Sequence, residues 1–309
     1  MTTAMLADFA QRAANTGFDI VPLAVPLFVL AIVVEMIWAA RHAPTAYEPG
    51  DTLTSLLMGL GSTVIGALVV GLIALVAGWL HAHRLATVPP MWWVWIAVFV
   101  LDDFNYYLFH RAAHRVRWFW ASHVNHHTSQ HYNLSTALRQ TWTGFPAFSF
   151  AFRIWPALFG VAPGMLLTVG AINLVYQFWV HTEAIGRMPR WFEAVMNTPS
   201  HHRVHHATNP RYLDRNYAGV FIVWDRLLGT FQAERADDPV RYGVVHQLGT
   251  FSLWTVAFHE WLAIIRDMWR APLSAKLGYL WRQPGWTHDG SRDTSDTIRA
   301  RWLAMQDDA

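Results

Sequence analysis

Residues 53–80 read LTSLLMGLGSTVIGALVVGLIALVAGWL, from Leu53 to Leu80 without one charged side chain. A helix rises about 1.5 Å per residue, so about 20 apolar residues cross the hydrocarbon core of a bilayer. This stretch predicts a membrane-spanning helix. On its N-terminal side Val21–Ala40 is apolar apart from Glu35, and on its C-terminal side Met91–Phe109 is apolar apart from Asp102 and Asp103. Glu35 falls near the end of its span, where a carboxylate can reach the aqueous interface. Ile154–Val180 is again uncharged, and Gly144–Val180 is interrupted by Arg153, Pro156 and the turn-like Gly160-Val-Ala-Pro-Gly164. That pattern reads as two membrane helices joined by a tight turn.

Composition agrees. The 309 residues are 53% hydrophobic and only 14% charged, whereas soluble domains carry about a quarter charged residues. Eighteen tryptophans suit membrane interfaces, where the indole is half apolar and half polar. A net charge of +2 with no basic run argues against nucleic acid as a partner, and the absence of Cys excludes disulfides, thiolate zinc and Cys-ligated iron–sulfur clusters. The N-terminus shows no basic region or small-residue cleavage site, so no removable signal peptide is expected.

Threading five spans places Arg41–Asp51, His110–Thr143 and everything after His181 on one side, with Arg111, Arg115, Arg117, Arg139, Arg187, Arg190 and Arg203. The opposite connection, His81–Pro90, holds only Arg84. The positive-inside rule makes the arginine-rich side cytoplasmic, and the N-terminus faces away from it. The predicted fold is all-α: an integral membrane helical bundle of about four to five spans with a cytoplasmic, histidine-rich helical cap. It divides into an N-terminal segment (1–20), the bundle (21–181), the cap (182–270) and a polar, loosely ordered tail (271–309). Thr250–Trp269 is amphipathic, an interfacial or cap helix rather than a sixth span. In a bacterium such a multi-pass protein belongs in the inner membrane.

The 17 histidines are the compositional outlier, and most of them cluster. His110-Arg-Ala-Ala-His114 puts two imidazoles on one helix face at i and i+4. His123-Val-Asn-His126-His127 and His202-Arg-Val-His205-His206 share the spacing i, i+3, i+4, and His181 closes the fifth span. One zinc needs three or four protein ligands, so nine histidines suit two metal ions. Imidazole accepts Zn, Cu, Fe or Ni alike, so ligand type alone leaves the metal open. A His-Glu-x-x-His protease is excluded because Arg111 stands where its Glu would be. A metal transporter would place its ligands near the bilayer midplane rather than at span ends. Asp103, two turns before His110, is expected to accept from the outer N–H of a ligand imidazole. Asn133, Glu183 and His201 are further candidates for holding a ligand ring from behind, and His201 and His131 are ambiguous as added ligands.

The order of the three boxes resembles the fatty acid hydroxylase superfamily, which includes the sterol desaturases. The flanks Asp103-Phe-Asn-Tyr-Tyr-Leu-Phe-His110-Arg, His126-His127-Thr-Ser-Gln-His-Tyr-Asn133, Tyr176-Gln-Phe-Trp-Val-His181-Thr-Glu183, Asn197-Thr-Pro-Ser-His201-His202 and Asn216-Tyr-Ala-Gly…Trp224-Asp225 are similar to its alkylglycerol monooxygenase branch. The resemblance implies a membrane di-iron oxygenase, with His110, His114, His123, His126, His127, His181, His202, His205 and His206 as ligands to two iron ions. It implies hydroxylation of a lipid C–H bond with O2, or desaturation in sister branches. The electron donor would be a tetrahydropterin, cytochrome b5 or a ferredoxin, and His131 departs from the acidic residue expected at its position.

Overall fold

A computed structural model describes residues 17–307, so most of the N-terminal segment and the last two residues lie outside the described residues. The chain is all-helical, with no strand among the described residues. Helix α1 is Val21–His42, α2 Pro49–Ala82, α3 Trp92–Arg115, α4 Arg117–His127, α5 Ala151–Ile154 and α6 Pro163–Phe178. The remainder comprises α7 (Arg190–Val195), α8 (Pro199–His205), α9 (Val223–Leu227), α10 (Leu253–Arg270), α11 (Gly278–Trp281) and α12 (Ser295–Asp307).

Among the described residues two helices, α1 and α2, are long and apolar enough to cross a membrane. Their most apolar windows are only 22% and 6% buried within the protein. Along α2, Leu60, Leu68 and Leu75 stand 61%, 78% and 71% exposed. Water would charge roughly 25 cal/mol for each Å² of that surface, whereas lipid covers it at no such cost. Proline starts α2 at Pro49, and the Glu48 carboxylate caps it by accepting from the Asp51 N–H.

Three expectations change. Gly144–Gly160 is not a membrane helix: its turns resolve into the four-residue α5 and a 3-10 turn over Trp155–Phe159. Pro146 and Pro156 cannot donate to a helical ladder, and composition alone conceals this. The segment still runs the length of α2, since Trp142 Nε1 donates to Met58 O at 2.9 Å and Leu85 N to Leu158 O at 2.8 Å. Glu35 does not reach the interface. It is buried and accepts from Tyr47 Oη at 2.5 Å, Leu134 N at 2.7 Å and the Thr182 hydroxyl. It thus ties α1 to the segments beside the second histidine box and His181. The tail is not loose either, because Arg115 grips Asp296 of α12 through two contacts at 2.7 and 2.6 Å, and Arg292 reaches Asp267 at 2.7 Å.

The core that positions the site is thin. Val94 and Val98 of α3 interlock with Met165 and Val169 of α6, while Ala157 and Val161 fill the gap between. Beyond this layer, on the arginine-rich side, the interior becomes polar. Arg139 is fully buried there, with Asp51 at 2.6 Å, Ser55 at 3.1 Å and Thr128 at 2.9 Å, joining the start of α2 to the end of α4. Such a pair resists loss of either partner, since a lone buried charge is costly. α10 is held on α4 by Arg117, which contacts Glu260 at 2.6 Å and Asp267 at 2.7 Å.

Candidate metal centre

The nine histidines meet beyond the α3–α6 core, and they sort into two groups. His110, His114, His123, His127 and His205 form one; His126, His181, His202 and His206 form the other. Within each group one nitrogen per ring lies within 4.8 Å of every other. Local geometry explains the sorting. His110 and His114 share a face of α3, which ends where Val116 turns extended (φ −126°, ψ 119°) and sends α4 back beside it. On α4, His123 and His127 are one turn apart and face α3, whereas His126 lies a step around the helix and faces α6 and α8. The short α8 divides its box likewise: His205 joins the first group, His202 and His206 the second.

Contacts between rings are close. Nε2 of His123 is 2.9 Å from that of His110 and 3.2 Å from that of His127. In the second group His181 Nε2 is 3.2 Å from His126 Nε2 and 3.0 Å from His202 Nε2, and His206 is 3.2 Å from His202. The groups adjoin, with the His127 and His206 rings stacked at 4.4 Å.

The other nitrogen of several rings is anchored from behind. His110 Nδ1 lies 2.8 Å from Tyr217 O, His181 Nδ1 2.9 Å from Gln177 O, and His205 Nδ1 3.0 Å from Arg215 O. A carbonyl can only accept, so each Nδ1 carries the proton and each Nε2 presents a lone pair to its group. His114 repeats the pattern with a carboxylate, Asp214 Oδ1 at 3.4 Å. The His114 and His205 Nε2 atoms are buried with no hydrogen-bond partner. Burial holds the His126, His127, His202, His205 and His206 imidazoles well below their ordinary range, and pushes His181 down to about 4. All are neutral at pH 7. Converging lone pairs in a buried pocket are satisfied by a cation, so the residues present fit two metal ions.

The four expected outer partners do not touch these rings. Asp103 accepts from Val220 N at 2.8 Å, Phe221 N at 3.0 Å, Trp224 Nε1 at 2.9 Å and Asn173 Nδ2 at 3.1 Å. It lies two turns from His110, about 10 Å along the axis, too far to reach the imidazole. Instead it pins the loop whose Tyr217 carbonyl holds His110. Asn133 caps the 3-10 turn Leu134–Leu138 and donates to Ala46 O at 2.6 Å. Glu183 accepts from Tyr242 Oη at 2.9 Å, and Tyr242 stacks on Tyr132, which lies against His181 and His206. His201 points away from both groups, toward Glu193 at 3.9 Å and the Phe231 ring, and burial pushes it down to about 4. His131 also stays outside, 2.9 Å from Thr45 O.

Residues missed at first do that work. Asp225 accepts from Tyr217 N and Ala218 N, both at 2.8 Å, so Asp103 and Asp225 clamp one loop from two ends. Asp214 and Asn216 adopt positive φ (54° and 57°), bending the chain so that Asp214, Arg215 and Tyr217 all aim back at the histidines. The turn signal at Asp214–Asn216 marked this bend without disclosing its role. A cavity of about 360 Å³ reaches the first group; His114, His127 and His205 line it with Trp120, Leu213 and Glu260.

Residues 95–230 match the fatty acid hydroxylase family model, and all nine histidines fall inside that region. The chain carries a fatty acid hydroxylase domain. It is 39% identical over 269 residues to the alkylglycerol monooxygenase of Danio rerio, covering 85% of this chain and 59% of that protein. The Homo sapiens alkylglycerol monooxygenase is 39% identical over 279 residues, 87% of this chain and 60% of that one. The ornithine lipid hydroxylase OlsE of Rhizobium tropici is 25% identical over 160 residues, 49% of this chain and 45% of its own length. The chain thus spans about 60% of the length of the alkylglycerol monooxygenases of Danio rerio and Homo sapiens. No solved structure matches the chain.

Proposed function

We propose that this protein is a membrane di-iron oxygenase that hydroxylates a C–H bond of a lipid with O2, and that an alkylglycerol ether lipid is its substrate class. The observation that carries this is the division of nine buried or half-buried histidines into groups of five and four, in each of which one nitrogen per ring lies within 4.8 Å of the others. The ligands would be His110, His114, His123, His127 and His205 for one ion, and His126, His181, His202 and His206 for the other. Two irons held there would supply O2 activation and hydrogen abstraction at an unactivated carbon. The chain's own contribution is placement: backbone carbonyls and Asp214 fix the ring tautomers, and Trp120 and Leu213 give the approach to the first group an apolar wall beside the charged Arg117 and Glu260. Hydroxylating the carbon beside an ether oxygen yields a hemiacetal, which separates into an aldehyde and a glycerol. The two electrons needed come from an external donor of the tetrahydropterin, cytochrome b5 or ferredoxin kind.

The membrane part of this reading has five crossings: α1, α2, α3, the broken segment 144–160 and α6. The histidines then lie on the side that holds Arg111, Arg115, Arg117 and Arg139, which is cytoplasmic by the positive-inside rule. The test is mass spectrometry of an alkylglycerol incubated with iron-loaded protein, ¹⁸O₂ and a reductant, with a tetrahydropterin and a reduced ferredoxin or cytochrome b5 supplied in separate arms. Loss of the ether with ¹⁸O in the aldehyde is expected before exchange with water. Loss of two hydrogens without oxygen would reassign the chain to desaturation, and no O2-dependent change in any alkyl lipid would end the oxygenase reading.

A further inference from the structure

Helix α10 has two faces of opposite chemistry. Trp254, Phe258, Leu262, Ile265 and Trp269 recur at i, i+4, i+8, i+11 and i+15, which lines them along one stripe. Trp254, Leu262, Ile265 and Trp269 are 64%, 51%, 64% and 86% exposed. Beyond the helix Leu273, Leu277 and Trp281 are exposed as well. The opposite face is fully engaged. Val256, Ala257 and Ile264 are buried, Glu260 and Asp267 hold Arg117, and His259 and Glu260 line the cavity that reaches the five-histidine group. Arg266 and Arg270 border the apolar stripe, exposed and in no ion pair among the described residues.

The position of α10 decides what covers that stripe. Thr54 of α2 donates to Phe251 O at 3.1 Å, the Phe251 ring packs against Gly50, and Val256 and Ala257 pack on Met58. α10 therefore departs from the first turns of α2. There the charged Glu48 and Asp51 give way, from Leu53 onward, to the exposed apolar Leu53, Leu56, Leu60 and Val64. That change marks the level where water meets hydrocarbon. A helix leaving at this level, with tryptophans at both ends of an apolar stripe and arginines along one edge, has the make-up of an in-plane membrane helix. The arginines would meet an anionic leaflet surface favourably.

We propose that α10 lies in the membrane interface on the histidine side, its Trp254–Trp269 stripe sunk into lipid and its other face forming a wall of the cavity over the five-histidine group. The bilayer surface and the metal cavity then share one helix as their partition. An amphiphilic substrate would keep its headgroup within about one helix diameter, roughly 10 Å, of that cavity. The inference rests on the bilayer reading of α1 and α2.

The chain has no cysteine, so single-cysteine variants can be spin-labelled without background. Leu262→Cys, Ile265→Cys and Trp269→Cys, in the full chain reconstituted in vesicles with anionic lipid, are compared with Leu68→Cys of α2 and the exposed Asp237→Cys. Collision with O2, which partitions into lipid, is measured against collision with a water-soluble nickel chelate. The three α10 labels should show an O2-to-nickel ratio several-fold above that of Asp237→Cys, at a depth shallower than Leu68→Cys. Ratios equal to Asp237→Cys, or labels shielded from both agents as under a second protein copy, would overturn the proposal. A water-like ratio at Leu68→Cys would instead overturn the bilayer reading beneath it.

Discussion

Helix α2 and helix α4 invert each other's chemistry. In α2 the apolar side chains face outward and its most apolar window is 6% buried; in α4 the polar Ser122, Asn125, His126 and His127 are buried instead. The first arrangement is stable only against lipid, since exposed apolar area has no compensation in water. The second needs partners for its buried nitrogens: carbonyls and one carboxylate hold His110, His114, His181 and His205 from behind, and in the reading above two metal ions take the nitrogens that converge. One chain thus contains a surface completed by solvent and an interior completed by ligands.

The largest effect expected from disturbing the interior is on activity. His205→Ala or His126→Ala should lower turnover by more than about 100-fold, since changing even an outer partner of a metal ligand costs about 10–100-fold. Product formation under single-turnover conditions would check this, and near-normal rates in either variant would remove that histidine from the ligand set. Next is Asp103→Ala, which strands the buried donors Val220 N, Phe221 N and Trp224 Nε1. A stability loss of about 3 kcal/mol or more, with weaker metal binding through the displaced Tyr217 carbonyl, is expected from denaturation and metal titration. A comparable cost should follow in the opposite region: Leu68→Arg on the lipid face of α2 should disfavour insertion by about 3 kcal/mol in a glycosylation-mapped insertion assay. No cost there would mean that Leu68 faces water.

Those three cases show what the sequence made legible. The apolar stretches and the nine histidines could be read from spacing, because helical periodicity is local. Their division into five and four could not, since it depends on how α4 packs between α3 and α8. Asp103 was on the right face of α3 but assigned the wrong partner. Three of its four partners lie 117 to 121 positions away, in the loop before α9 and at the start of α9, the fourth is Asn173 of α6, and nothing local announces them. Asp214 and Asp225, which support the site, had no spacing relation to any histidine. Glu35 looked like an interface residue by its distance from the helix end, and only the packing of Tyr47, Leu134 and Thr182 around it shows otherwise.

A smaller effect follows from titration. Burial lowers the His126, His127, His202, His205 and His206 values below 6.5 and sets His181 at about 4. As pH falls below 6.5 the unfolded chain takes up protons that the folded chain refuses, so unfolding becomes more favourable. The metal-free protein should therefore lose thermal stability from pH 6.5 downward, with the contribution of His181 complete near pH 4, and should change little between pH 7 and 8 as far as these groups are concerned. A melting temperature that rises on acidification through this range would contradict the burial of neutral imidazoles.

The central claim, that two histidine groups make two metal sites, is tested most directly by metal stoichiometry. After anaerobic iron loading and removal of loose metal, the wild-type chain should retain two irons per chain. His205→Ala and His126→Ala should each weaken retention of one ion more than the other. Fewer than about one iron per wild-type chain, or loss of all metal in step from both variants, would contradict it.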